Sequence, residues 1–140
     1  MVRISDLTIL KMLKENSRRP FVEIARVLGV SEAAVRKRVR RLEDKGVIKR
    51  YTIEIDYKKL GFEVHTLIGI DTKPEHYIST IERLKKLKEV ESLYTSSGDH
   101  MILLECWFKK SEELMEFLER VKKIEGVTRV CPAVILEKVK

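Results

Sequence analysis

Residues 20–46, PFVEIARVLGVSEAAVRKRVRRLEDKG, carry the signature of two helices joined by a three-residue turn. Pro20 suits a helix start, because its fixed φ matches the first turn and its missing N–H would go unsatisfied there anyway. Phe21, Ile24, Ala25 and Leu28 then recur at helical spacing as an inward stripe, and Gly29 closes the helix as the residue best suited to a left-handed turn. Gly29, Val30 and Ser31 make the connection, and Ser31 is a good N-cap for the next helix. In that helix Val35, Val39 and Leu42 form one narrow apolar face, and the pattern runs out at Lys45 and Gly46. A step of about 100° per residue then points Ala33, Lys37, Arg40 and Arg41 outward, with Arg36 and Arg38 on the flanks.

That exposed side is almost wholly cationic. Residues 1–50 hold 14 Lys and Arg against 6 Asp and Glu, a net of +8, whereas residues 51–140 hold 15 against 16, a net of −1. Spread charge would speak only of solubility, but segregated charge describes a cationic module joined to a neutral one. A cationic second helix after a helix-turn-helix spacing is the footprint of a duplex-DNA reader. The bland alternative is a solvated face of i,i+4 pairs such as Arg40 with Asp44. Six cations between Arg36 and Lys45 meet only two acids, more than pairing needs. Guanine acceptors in the major groove match Arg and Lys, and the N-terminal half of the helix sits deepest. Ser31, Ala33, Arg36 and Lys37 are therefore the base-edge candidates, and Arg38, Arg40 and Arg41 the phosphate-binding ones.

Upstream, Ser5 or Asp6 can cap a first helix bearing Leu7, Ile9, Leu10 and Leu13. Downstream, VIKRYTIEIDYKKLGF alternates Tyr51, Ile53 and Ile55 with polar residues, which predicts a half-exposed linker strand. Residues 62–72 read as a strand, Pro74 starts a helix carrying Tyr77, Ile78, Ile81, Leu84 and Leu87, and Val90 to Ser96 reads as a second strand. After an SSGD turn come a strand from His100 to Phe108, a helix capped by Ser111, and a last strand from Val127 to Val139. Strand, helix, strand, strand, helix, strand is the ferredoxin-like βαββαβ order. Pro132 cannot donate to a ladder, so its strand should be an edge or bulged. The predicted class is α+β: a helix-turn-helix domain at 1–50, a linker strand or hinge at 51–61, and a ferredoxin-like domain at 62–140.

A chain of 140 residues with 44% hydrophobic content can bury a core, which excludes disorder. No apolar stretch approaches the roughly 20 residues a bilayer demands, and MVRISDLTIL lacks the apolar core of a signal peptide, so a cytoplasmic protein without a membrane partner is expected. Cys106 and Cys131 each sit in apolar runs without CxxC spacing, as buried thiols would. His65 and His76 have no acidic or cysteine partner at metal spacing, so no metal is expected. No phosphate loop, nucleophile triad or carboxylate pair stands out, and no enzyme or cofactor is expected.

The turn Ser96, Ser97, Gly98, Asp99, His100 is by itself simply a good hairpin connection. Together with DLTILKMLKENSRRPFVEIARVLGVSEAAVRKRVRRLEDKGVIKRYT, SSGDHMILL and GVTRVCPAVILEKVK, however, it makes the whole chain resemble the Lrp/AsnC, or feast/famine, transcription regulators. The resemblance implies a ferredoxin-like effector domain of RAM type, a homodimer made through the C-terminal sheets, and higher assembly to a tetramer or octamer of dimers. It also implies an amino-acid effector near the SGD turn, with Asp99 accepting its ammonium and the amides of Gly98 and neighbouring turn residues donating to its carboxylate. Ser97, His100, Thr128 and Val130 complete that expected site.

The expected function is sequence-specific transcriptional regulation, with assembly or DNA affinity responding to a bound amino acid. Dimerisation would set two recognition helices about 34 Å apart on a pseudo-palindromic operator. Two other readings stay open at this level. One is an architectural DNA-wrapping protein without a ligand. The other is an amino-acid-binding regulatory subunit of an enzyme complex, which leaves the +8 half without a purpose.

Overall fold

The computed structural model describes residues 4–140, with side chains from Asp6 onward. The chain divides into two compact units at Ile55/Asp56, inside the stretch 51–61.

In the first unit, α1 (Ile4–Glu15), α2 (Phe21–Leu28) and α3 (Glu32–Asp44) share one small core. Ile9 and Leu13, Ile24 and Ala25, and Val35 and Val39 supply its buried side chains, so each predicted stripe turns inward. Pro20 is the N-cap of α2 and Gly29 ends it at φ 65°, where the Val30 amide reaches back to the Ala25 carbonyl. Ser31 caps α3 as expected, its hydroxyl accepting from the Ala34 amide at 3.1 Å. α1 begins at Ile4, so Ser5 and Asp6, the two expected caps, lie in its first turn. The predicted linker strand does not form: residues 51–56 make no ladder, Tyr51, Ile53 and Ile55 are all exposed, and a 3-10 turn follows at Tyr57–Leu60. An alternating pattern becomes a strand only when another edge lies alongside, and none does here among the described residues.

The second unit is a four-stranded antiparallel sheet of β1 (Val64–Thr72), β2 (Val90–Thr95), β3 (Ile102–Phe108) and β4 (Val127–Ile135), in the order β2-β3-β1-β4. Helices α4 (Tyr77–Leu84) and α5 (Ser111–Lys122) cover one face. There Ile68, Ile70, Ile102, Leu104 and Phe108 meet Leu84, Leu114, Phe117, Leu118 and Val121, which is the ferredoxin-like core. Pro132 sits opposite Ile68 on the edge strand β4, where its missing N–H interrupts no second ladder.

Local details differ from expectation. Pro74 opens a 3-10 turn, Pro74–His76, ahead of α4, and β4 stops at Ile135 rather than Val139. Ser111 is the first residue of α5 and does not cap it; the Lys109 amide instead donates to the Glu113 carboxylate at 3.0 Å. Of the two cysteines expected to be buried, Cys106 is, and burial together with Glu89 and Glu105 pushes its thiol up to about 12. Cys131 is exposed instead, because it lies on the helix-free face of an edge strand, opposite Gly69.

Thr80 of α4 is buried, and its hydroxyl has no hydrogen-bond partner among the described residues. An unsatisfied buried hydroxyl is unfavourable, so Thr80→Val is expected to raise stability by about 1 kcal/mol, read as a higher urea midpoint at unchanged slope.

Candidate functional site

The cationic surface of α3 follows from its heptad-like packing. With Val35, Val39 and Leu42 buried, Ser31, Ala33, Arg36, Lys37 and Arg40 are all exposed. They are not equivalent. Arg36 is paired with Glu32 one turn earlier at 2.5 Å. Arg38 is half-buried, with Nη1 wholly so and without a hydrogen-bond partner among the described residues. Arg41 lies 3.6 Å from the buried carboxylate of Asp6 in α1, which ties α3 to α1. Lys37 and Arg40 form no ion pair among the described residues, and the i,i+4 pairing of Arg40 with Asp44 is not made. Two fully available cations on one helix face can bind a polyanion without first breaking an internal contact.

The second candidate lies at one end of the sheet. Antiparallel register sets Asp71 of β1 directly opposite Arg129 of β4, beside an irregularity at Asp71/Thr72. The Asp71 carboxylate accepts from the Met101 amide at 2.9 Å and contacts His100 Nδ1 at 2.9 Å and Arg129 Nε at 3.2 Å. Arg129 Nη2 reaches on to Asp99 at 3.1 Å, and His100 Nε2 stands 3.4 Å from the same carboxylate. Burial acts to raise the Asp71 carboxyl, but the Met101 amide, His100 and Arg129 outweigh it and hold the group below the usual carboxylate range. Arg129 is raised, first by its contact with the Cys131 thiol and then by Asp99. The His100 ring lies against Gly69, where a Cβ would come within 2.2 Å of it, so only glycine leaves room for that placement.

The expected effector residues are therefore partly gathered. Asp99 and His100 belong to this cluster. The Gly98 amide donates to Ser96 Oγ at 3.1 Å within the turn, and Ser97 and Thr128 are exposed. Val130 packs toward the helix-side core instead. Sequence reading missed Asp71 and Arg129. Strand alternation was the available signal, since Arg129 lies between the two expected residues and has the opposite parity to Val130.

Away from the helices, the sheet exposes Leu67, Tyr94 and Ala133, with Leu103 and Trp107 half-buried among them. His65, expected to be structural or exposed, is structural: it stacks on Trp107 at 3.9 Å and contacts Glu105 of the neighbouring strand at 3.0 Å. No group of three metal-binding side chains occurs among the described residues. No described helix is long and apolar enough to cross a membrane.

Residues 3–49 match the family described as winged helix-turn-helix DNA-binding, and residues 65–140 match the Lrp/AsnC ligand binding domain. The chain is 50% identical over 141 residues to the HTH-type transcriptional regulator LrpA of Pyrococcus abyssi, covering the whole of both chains. It is 42% identical to regulator Ptr1 of Methanocaldococcus jannaschii over 81% of this chain and 76% of that one. Among solved structures, E. coli AsnC superposes with a TM-score of 0.88 at 26% identity, covering 100% of this chain and 95% of that one. A transcriptional regulator of Neisseria meningitidis solved as an L-Met complex shares the fold with a TM-score of 0.86 at 22% identity, covering 100% and 93%.

Proposed function

Because this chain belongs to the Lrp/AsnC family of transcriptional regulators, we propose that it reads a specific DNA sequence and that a bound amino acid sets its assembly or its DNA affinity. It is a DNA-binding regulator with an effector-binding domain, not an enzyme. In the finer reading, residues 1–50 bind duplex DNA in the cytoplasm, 51–61 are the hinge, and 62–140 bind the effector and join copies. The observation that carries it is the division of chemistry between the units. One presents Lys37 and Arg40, which form no ion pair among the described residues, while the other, with no net charge, concentrates Asp71, Asp99, His100 and Arg129 at one sheet end.

Base edges fall to Ser31, Ala33, Arg36 and Lys37, and phosphates to Arg38, Arg40 and Arg41, although Arg41 also braces α1. The effector falls to Ser97, Gly98, Asp99, His100, Thr128 and Val130. An amino acid carries both charges in a short span, which a cluster of two carboxylates, an imidazole and a guanidinium can match. The L-Met complex of the Neisseria regulator supports that ligand class.

A ligand that binds the native state raises its apparent stability, by about 2.7 kcal/mol at a hundredfold excess over Kd. A thermal-shift screen of the twenty amino acids against the full chain should find at least one that stabilises it. If none does, the effector half of the reading falls while DNA binding stands.

The helix-free sheet face is assigned to the homodimer, and through it to the tetramer or octamer of dimers. Leu67 is 41% exposed in a row with Glu105 and Ala133, on a face that also carries Leu103 and Trp107 and where Glu105 is already paired with His65. Charges at the centre of an interface are unfavourable when desolvated without a partner. Leu67→Glu should weaken self-association by at least about tenfold, seen as a lower mass in light scattering at micromolar concentration. An unchanged mass would place the dimer contact elsewhere.

A further inference from the structure

Resting on the effector reading, we propose that the ion pair between Arg129 and Asp99 is itself the effector seat. An α-amino acid opens it, the ligand carboxylate taking the outer nitrogens of Arg129 and the ligand ammonium replacing Arg129 on Asp99.

The two halves of the pair are held very differently. Arg129 is anchored through Nε to Asp71 at 3.2 Å, and Asp71, only 14% exposed, is itself fixed by the Met101 amide and by His100. A guanidinium is planar, so anchoring Nε fixes the direction of the remaining donors, and Nη2 points outward to Asp99 at 3.1 Å. Asp99 is the loose half. Its side chain is 80% exposed and rides on the turn after Gly98, touching Arg129 and, at 3.4 Å, His100 Nε2. An ion pair with one member mostly in water contributes little, so its opening opposes binding weakly.

The exchange conserves charge. Before binding, Arg129 neutralises Asp99; afterwards each faces the opposite end of the zwitterion, and no charge is left without a partner. A ligand lacking either end fails this balance. A bare carboxylic acid would strand Asp99 beside a second anion, and a bare amine would leave Arg129 facing another cation. The Gly98 amide is already engaged by Ser96 Oγ at 3.1 Å, whereas the outer nitrogens of Arg129 are held in a fixed direction by the anchor at Nε. Exchange also cuts the one ion pair, among the described residues, that joins the 96–100 turn to β4 through Asp99.

The test uses the full-length protein, with the twenty L-amino acids as probes in thermal shift and the best of them titrated calorimetrically. Its methyl ester and its N-acetyl derivative serve as ligands missing one charge each. Arg129→Gln and Asp99→Asn should each weaken binding at least about tenfold, as expected when a charge-assisted hydrogen bond is lost. Both derivatives should lose at least as much against the wild-type protein. Arg129→Lys, which keeps the charge but not the fork, should retain part of the affinity; it distinguishes loss of recognition from a damaged fold. Wild-type affinity in both Arg129→Gln and Asp99→Asn would overturn the exchange while leaving the effector reading intact. Silence of the wild-type protein toward all twenty would overturn both.

Discussion

Lys37→Ala is expected to lower affinity for a preferred duplex by about 10- to 100-fold while changing affinity for random duplex only a few-fold, whereas Arg40→Ala should weaken both by a common factor. Both side chains are exposed on the same face of α3 and neither is held in an ion pair among the described residues, so each can be removed without freeing a buried partner. The difference lies in position along the helix. Lys37 is nearer the N-terminal end of α3, the end proposed to enter the groove, and a well-placed contact to a base edge is worth about 1–3 kcal/mol of discrimination. Arg40, one turn on, is the residue proposed for phosphate, whose contribution is sequence-blind and falls with salt. Removing it should reduce the slope of log affinity against log salt by about one. The measurement is fluorescence anisotropy between 50 and 200 mM salt (on the order of the range where such slopes are resolved), with a duplex selected from a random pool and a scrambled control. Equal losses on both duplexes for both variants would contradict the division of roles and favour an architectural protein. Arg41 is a poorer probe of phosphate contact, because Arg41→Ala also disturbs the buried Asp6 and would lower stability alongside affinity.

The first unit was legible because its determinants are local. A proline, a left-handed glycine and a serine cap fix where the two helices start and stop, and apolar residues three and four apart fix which face is buried. The cationic face of α3 follows from the same phase. Strand order was also readable, since βαββαβ connectivity leaves few topologies. What escaped depends on neighbours that periodicity does not name. Tyr51, Ile53 and Ile55 have a strand's pattern but no adjacent edge, and so make no ladder. His65 and Glu105 are 40 residues apart in sequence and adjacent in the sheet. Asp71 and Arg129 meet because β1 and β4 pair in one register next to a bulge, and a shift of one residue would have sent Arg129 to the helix side. Cys131 looked buried because its run is apolar, yet on this edge strand Cys131, Pro132, Ala133 and Val134 are all exposed.

Asp71→Ala is the substitution expected to damage the second unit most among those at the sheet end, by about 2–4 kcal/mol at neutral pH. One carboxylate, 14% exposed, serves the Met101 amide, His100 and Arg129. Its removal leaves three donors without their acceptor in a half-buried place, and the amide cannot turn to solvent without disturbing the start of β3. Asp71→Asn should cost less, since its carbonyl oxygen still accepts from Met101 while the charge for Arg129 is gone. The pH dependence fixes the mechanism further. The folded carboxyl lies below its ordinary value of 3.8, so the native state binds its proton less readily than the unfolded chain does. The stabilisation is accordingly complete above that value and is lost as pH falls through the lower folded value. The carboxylate's share of the difference between wild type and Asp71→Ala should therefore be present at neutral pH and shrink as pH falls below about 4. Trp107, the single tryptophan and a β3 residue, reports unfolding of this unit by fluorescence. Equal urea midpoints at pH 7 would show that the cluster forms without stabilising the fold, and a difference that does not narrow as pH falls below about 4 would count against a role through charge.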